Sequence, residues 1–309
     1  MFIFNIFLLN YNMLTLNMTE NEIIPQIKNT INCLIDINNI KLISMNDLIL
    51  TKLIGEGGQS KVYEGYYENY HSAIKIFNNI DWKSFMNEII IISNLKHSSI
   101  PKFFGIINEN KIVGLVTEYL KGRTLDKIKV NDLSYNNKLQ IAKNIAEVLE
   151  SMHINNFIHR DLKPANIMID ENINAFLIDF GISKICVNKK NSLTLTKGTI
   201  NYLAPECLKI IELSENEEII SMISTKVDVW SFGCLLSFLF SGIVPWDNLF
   251  AGDEHLLQKS LMEKNEFPIP DIIKNKYPEI YNIIKEATIV DENKRPNISQ
   301  ICDMLEMIK

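Results

Sequence analysis

The sequence predicts an α+β protein in two lobes: a small, five-stranded antiparallel β lobe with one main helix, and a larger, mainly α-helical lobe. Three observations carry that prediction. Between Leu48 and Tyr119, short apolar runs rich in β-branched and aromatic residues alternate with turn residues. After Gly122, apolar residues recur at helical spacing instead. Val227 to Phe240 is apolar nearly all round yet too short for a membrane span, as expected of a buried central helix.

In chain order, Leu48–Ile54, Lys61–Tyr66 and His71–Phe77 read as three strands, with turns at Gly55–Gly58 and Glu68–Tyr70. Asp81–Leu95 reads as a helix, with Asp81 as its cap and Phe85, Ile89 and Ile92 on one face. Lys102–Ile107 and Lys111–Tyr119 are two more strands around an Asn108-Glu109-Asn110 turn, and Tyr119 to Gly122 is a short connection. Beyond it, Ala142, Ile145, Ala146, Leu149 and Met152 follow the 3.6-residue period. The predicted boundaries are an extension of unknown role over 1–46, a small lobe over 47–118, a hinge over 119–122 and a large lobe over 123–309. Leu208 to Thr225 is acidic and reads as a surface insertion with no assigned function.

The chain of 309 residues is long enough to bury a large core. Its net charge of −6 leaves no basic excess to neutralise phosphates, which argues against a nucleic-acid partner. Five scattered cysteines without CxxC spacing fit neither a disulfide framework nor a zinc site, so a reducing, cytoplasmic setting is expected. The uncharged stretch Met1 to Met18 lacks the basic start of a signal peptide and is interrupted by Asn5, Asn10 and Asn12, so membrane association is not expected. Arginine is scarce, which makes Arg123, Arg160 and Arg295 informative.

Four segments carry chemistry. Gly55-Glu56-Gly57-Gly58 lies between two strands, where glycines let backbone N–H groups approach phosphates; Ser60 stands where a third glycine is usual. Lys75 sits mid-strand among apolar neighbours, and Glu88 on the next helix suits it as a carboxylate partner. The run His159-Arg160-Asp161-Leu162-Lys163-Pro164-Ala165-Asn166 and the later Asp179-Phe180-Gly181 place acids, an amide and a lysine on two loops joined by a short hairpin. One carboxylate to orient a nucleophile and an Asp/Asn pair for Mg²⁺ suit metal-assisted phosphoryl transfer.

From Leu48 to Ile308 these segments resemble the eukaryotic protein kinase family, of the serine/threonine type. The subgroup most similar to Val227-Asp228-Val229-Trp230-Ser231-Phe232-Gly233 and Val244-Pro245-Trp246 is the tyrosine-kinase-like group. The resemblance implies the bilobed kinase fold, ATP and Mg²⁺ as cofactors, and protein substrates with Ser or Thr acceptors. It implies catalytic roles for Asp161, Lys163, Lys75, Glu88 and Thr199, and Mg²⁺ binding by Asn166 and Asp179. Nucleotide contacts would come from Ile54, Gly55, Gly57, Gly58, Val62, Ala73, Lys75, Thr117, Glu118, Leu120 and Met168. Phe180 would pack on His159 beneath the helix that carries Glu88. Glu206 of Ala204-Pro205-Glu206 would pair with Arg295, and Asp228 would hold the His159-Arg160 turn. Arg160 would meet a phosphorylated Ser192, Thr194 or Thr196. The alternative implied by fold alone is a catalytically inactive scaffold.

Overall fold

The computed structural model describes residues 40–58, 60–78, 80, 82–109, 112–181, 184–185, 200–207, 223–247 and 266–308. The chain forms two compact units, one reaching Asn94 and including Lys102–Tyr119, the other comprising Leu95–Pro101 and everything from Leu120 onward. The predicted cap Asp81, Thr199, the acceptors Ser192, Thr194 and Thr196, and most of the acidic insertion lie outside the described residues.

The first unit is a five-stranded antiparallel sheet in the order β1-β2-β3-β5-β4. Its strands are β1 (Leu48–Glu56), β2 (Ser60–Tyr67), β3 (Tyr70–Phe77), β4 (Phe103–Glu109) and β5 (Ile112–Glu118), with helix α1 (Trp82–Asn94) between β3 and β4. Alternation along the strands sends Tyr67, Ile74, Ile107 and Val116 into one core with Ile43. The glycine-rich turn is narrower than predicted. After two bulges in β1 the ladder resumes with Gly55 opposite Val62 and Glu56 opposite Lys61, because continued pairing satisfies backbone groups that a wider turn would leave open.

The end of the N-terminal extension packs onto this sheet. Ile43 N–H donates to Ile106 O at 2.8 Å and Ile106 N–H to Lys41 O at 2.9 Å, so the segment lies along the open edge of β4. Glu109 closes it by accepting from the Ser44 hydroxyl and the Met45 N–H, both at 2.9 Å. An open sheet edge invites such pairing.

The second unit is mainly helical. Helix α2 (Tyr135–Ile154) is capped by Ser134, which accepts from Asn137 N–H, and buries Ile141, Ala142, Ile145, Ala146, Val148, Leu149 and Met152. The predicted central helix is α3 (Lys226–Ser241), buried from Val227 to Ser241. Helices α4 (Asp271–Lys276), α5 (Pro278–Ala287) and α6 (Ile298–Glu306) follow, α5 packing on α3 and α6 on α2. Gly233 lets α3 meet α5 closely: a Cβ there would lie 2.6 Å from Thr288 Cγ2 and 3.0 Å from Ala287 Cβ. The remaining strands are β6 (Gly122–Thr124), β7 (Phe157–Ile158), β8 (Ile167–Asp170), β9 (Ala175–Leu177) and β10 (Lys184–Ile185). Among the described residues, no helix is long and apolar enough to cross a membrane.

Candidate active site

In the second unit the chain leaves β7, runs through His159–Lys163 and a 3₁₀ turn at Pro164–Asn166, and enters the β8–β9 hairpin. That hairpin explains the spacing of the two motifs. With Ile167 opposite Leu177, its open end brings residues 166 and 178 level, and Ile178 N–H donates to Asn166 O at 3.1 Å. Asn166 and Asp179 therefore become neighbours by strand pairing. Asp179 Oδ1 accepts from Gly181 N–H at 3.1 Å.

Asp161 is held from two sides. Lys163 Nζ donates to both of its carboxylate oxygens, at 2.9 and 2.7 Å. Asn166 Nδ2 donates to the Asp161 carbonyl at 2.8 Å and to Oδ2 at 3.0 Å. An amide that gives its N–H₂ to Asp161 presents its oxygen elsewhere, and an amide oxygen beside a carboxylate is the hard donor pair that suits Mg²⁺. Phe180 packs edge-on against His159 with ring centroids 5.8 Å apart.

The turn is strained where Arg160 adopts a left-handed φ of 69°. Asp228, fully buried at the start of α3, compensates. Its Oδ1 accepts from Arg160 N–H at 2.8 Å, and its Oδ2 accepts from His159 N–H at 2.8 Å and from His153 Nε2 at 2.9 Å. Burial alone would push the Asp228 carboxyl up, but the His153 hydrogen bond, the charges of His153 and His159 and the Arg160 amide hold it below the ordinary range. Sequence reasoning anticipated Asp228 and missed His153. The available signal was a histidine in the last turn of the helix that leads into the loop. Burial lowers the Arg160 guanidinium, opposed by Cys207 and Asp228.

Glu206 and Arg295 meet as predicted. Arg295, fully buried, donates from Nη1 and Nη2 to the two Glu206 oxygens at 2.7 and 3.1 Å. It also donates to the carbonyls of Ile289 at 2.9 Å and Lys226 at 2.7 Å, and lies 5.2 Å from the Trp230 ring. No lysine could make this planar set of bonds.

In the first unit, Lys75 Nζ donates to both Glu88 oxygens at 2.7 and 3.0 Å, with the Glu88 side chain 6 % exposed. The β3 register and the face of α1 thus bring together the two residues that the sequence paired by chemistry and by resemblance to the kinase pattern. Val62, Ala73 and Thr117 stand on the adjacent strands β2, β3 and β5, Ala73 directly opposite Thr117. Glu118 gives its N–H to Lys102 O at 2.8 Å, so its carbonyl is the backbone group it offers a ligand. Ile54, Gly55, Gly57 and Gly58 lie on β1 and the following turn, where Gly57 N–H donates to Ser60 O at 2.9 Å. Met168, half-buried on β8, and Leu120, which opens the second unit's main segment, belong with the Asp161 loop rather than with this sheet.

Comparison with known proteins accords with this geometry. The family model for the protein kinase domain matches residues 48–305, and the chain belongs to the protein kinase family. It is similar to putative wall-associated receptor kinase-like 16 of Arabidopsis thaliana, 29 % identical over 85 % of this chain and 64 % of that protein. It is also similar to a probable serine/threonine-protein kinase of Dictyostelium discoideum, 30 % identical over 86 % of this chain and 28 % of that protein. Wall-associated receptor kinase 4 of Arabidopsis thaliana is 33 % identical over 62 % of this chain and 26 % of that protein. The chain thus spans less than two thirds of the length of each.

Proposed function

We propose that residues 47–309 form an active protein serine/threonine kinase that transfers the γ-phosphate of ATP to Ser or Thr hydroxyls of protein substrates in an Mg²⁺-dependent reaction. The observation that carries this reading is the Asp161 carboxylate gripped by Lys163 and Asn166 on one strained loop, one strand rung from Asp179. A relative named as a serine/threonine kinase supports the choice of acceptor.

Asp161 orients the incoming hydroxyl and takes its proton as the new O–P bond forms and the bond from the γ-phosphorus to the β–γ bridging oxygen breaks. Lys163, already bonded to Asp161, offsets negative charge on the transferring group. Lys75, fixed by Glu88, takes the nucleotide phosphates, and the carbonyl of Glu118 with the backbone of Leu120 meets the adenine edge between Val62, Ala73 and Met168. Asn166 and Asp179 would hold Mg²⁺, which neutralises phosphate charge when bound. Thr199 supports the acceptor pocket, and a phosphate on Thr194 or Thr196 meets Arg160. Buried or half-buried free thiols at Cys207, Cys234 and Cys302, the last pushed up to about 12 by burial, fit a reducing cytoplasmic compartment.

The test is incubation of the pure protein with ATP, Mg²⁺ and a protein substrate, with phosphosites mapped by mass spectrometry. Phosphate on Ser and Thr, absent with Asp161→Asn, is expected. A wild-type chain that binds ATP but transfers nothing would identify an inactive scaffold.

A further inference from the structure

The segment that closes the β4 edge stands in line with the nucleotide-facing residues of the sheet. Leu42 pairs in parallel with Ile106 on β4. Ile106 stands opposite Leu115 on β5, Leu115 opposite Lys75 on β3, Lys75 opposite Val62 on β2, and Val62 opposite Gly55 on β1. One transverse row therefore runs from residues 40–45, through the lysine that bonds Glu88, to the glycine-rich turn. Directly opposed residues in a sheet are close cross-strand neighbours, so the position of one rung constrains the next.

Packing couples the same points on the other face of the sheet. Ile43, 2 % exposed, shares one buried cluster with Ile74, Ile107 and Val116. Ile74 precedes Lys75, and strand alternation sends Ile74 into that cluster and Lys75 to the opposite face, where it meets Glu88. Glu88 fixes the tip of Lys75, while Ile43 backs the strand from which it projects. A close-packed interior passes on a displacement of Ile43 instead of absorbing it. The fit leaves no slack at β4. A Cβ on Gly105, at the bulge of that strand, would lie 2.3 Å from Lys41 O and 3.0 Å from Ile43 Cδ1. Glu109, accepting from the Ser44 hydroxyl and the Met45 N–H, holds the far end of the segment down.

We propose that Ile43 is a positioning residue for the nucleotide site: residues 40–45, latched by Glu109, hold the row of Lys75 and Val62 where Lys75 meets the phosphates of ATP. This rests on the reading of Lys75 as a phosphate contact given above. Lifting the segment from β4 lowers nucleotide affinity, and by reciprocity a bound nucleotide tightens the segment on β4.

The test titrates the full chain with a non-hydrolysable ATP analogue and Mg²⁺ by calorimetry, so that no phosphoryl transfer is needed. Ile43→Ala, which empties the contact, and Gly105→Ala, which pushes Lys41 O away, should each weaken binding by about fivefold or more. Ile43→Val, which keeps the β-branch, should return the affinity to within about twofold of wild type. Gly233→Ala, destabilising in the other unit, should leave the affinity unchanged, which separates positioning from a mere loss of stability. In the wild type, the bound analogue should slow amide exchange at Ile43 and Ile106 by about threefold or more. Unchanged affinity in both Ile43→Ala and Gly105→Ala overturns the proposal, and the segment then only seals the edge. A wild-type chain that binds the analogue and protects Ile43, yet transfers no phosphate, supports this proposal and overturns the kinase activity alone.

Discussion

Replacing Asp228 with Asn tests the argument that a buried carboxylate, rather than shape, holds the Asp161 loop. The two side chains are isosteric, so packing survives. One oxygen becomes an N–H₂ group, and only one acceptor atom remains for three donors, the His159 and Arg160 amides and His153 Nε2. If that oxygen stays at the Oδ2 position, the new amide faces Arg160 N–H donor to donor, leaving a buried backbone group unsatisfied at about 1–3 kcal/mol. Loss of charge assistance at the other two bonds adds about 1 kcal/mol each, and relief of the buried charge offsets part of this. The net expectation is about 3 kcal/mol, a large share of a typical 5–15 kcal/mol. Urea denaturation should show a lower midpoint at unchanged slope. The pH dependence supplies a second arm. Because the folded Asp228 carboxyl lies below its ordinary value, its contribution is complete above the unfolded value and is lost as pH falls through the folded one. Wild-type stability should therefore fall below about pH 4, and the difference from Asp228→Asn should shrink there. A loss under about 0.5 kcal/mol at neutral pH, or a difference that does not change on acidification, would refute the reasoning.

Other substitutions probe other contacts. Lys75→Met, which removes the two bonds to the Glu88 carboxylate, should lower kcat/KM for ATP by at least about 100-fold in steady-state assays while the variant remains folded by circular dichroism. Arg295→Lys keeps the charge but loses the fork to Glu206 and the bonds to two carbonyls, and should destabilise by about 2–4 kcal/mol in chemical denaturation. Gly233→Ala forces a methyl into the α3–α5 contact and should cost about 1–3 kcal/mol, read as a lower melting temperature.

Much of the architecture was readable from local pattern, because strand alternation, helical periodicity and turn residues are properties of short windows. The Asp161–Asn166 loop and Asp179 were readable for the same reason, since one short hairpin joins them. The Glu206–Arg295 pair, 89 residues apart, was readable only because it falls on motif positions in a chain with almost no arginine. Pattern stops where burial begins. The sequence by itself determined which residue types stand at which intervals, and hence the chemistry of the lysine, the acids and the amide. The tertiary structure alone decided that Ile43 closes the β4 edge, that His153 reaches Asp228, and that Lys138 packs against Phe240. Each of these depends on elements distant along the chain, whose packing sets the solvent exposure and partners of a side chain and so the free energy of its charge or hydrogen bond.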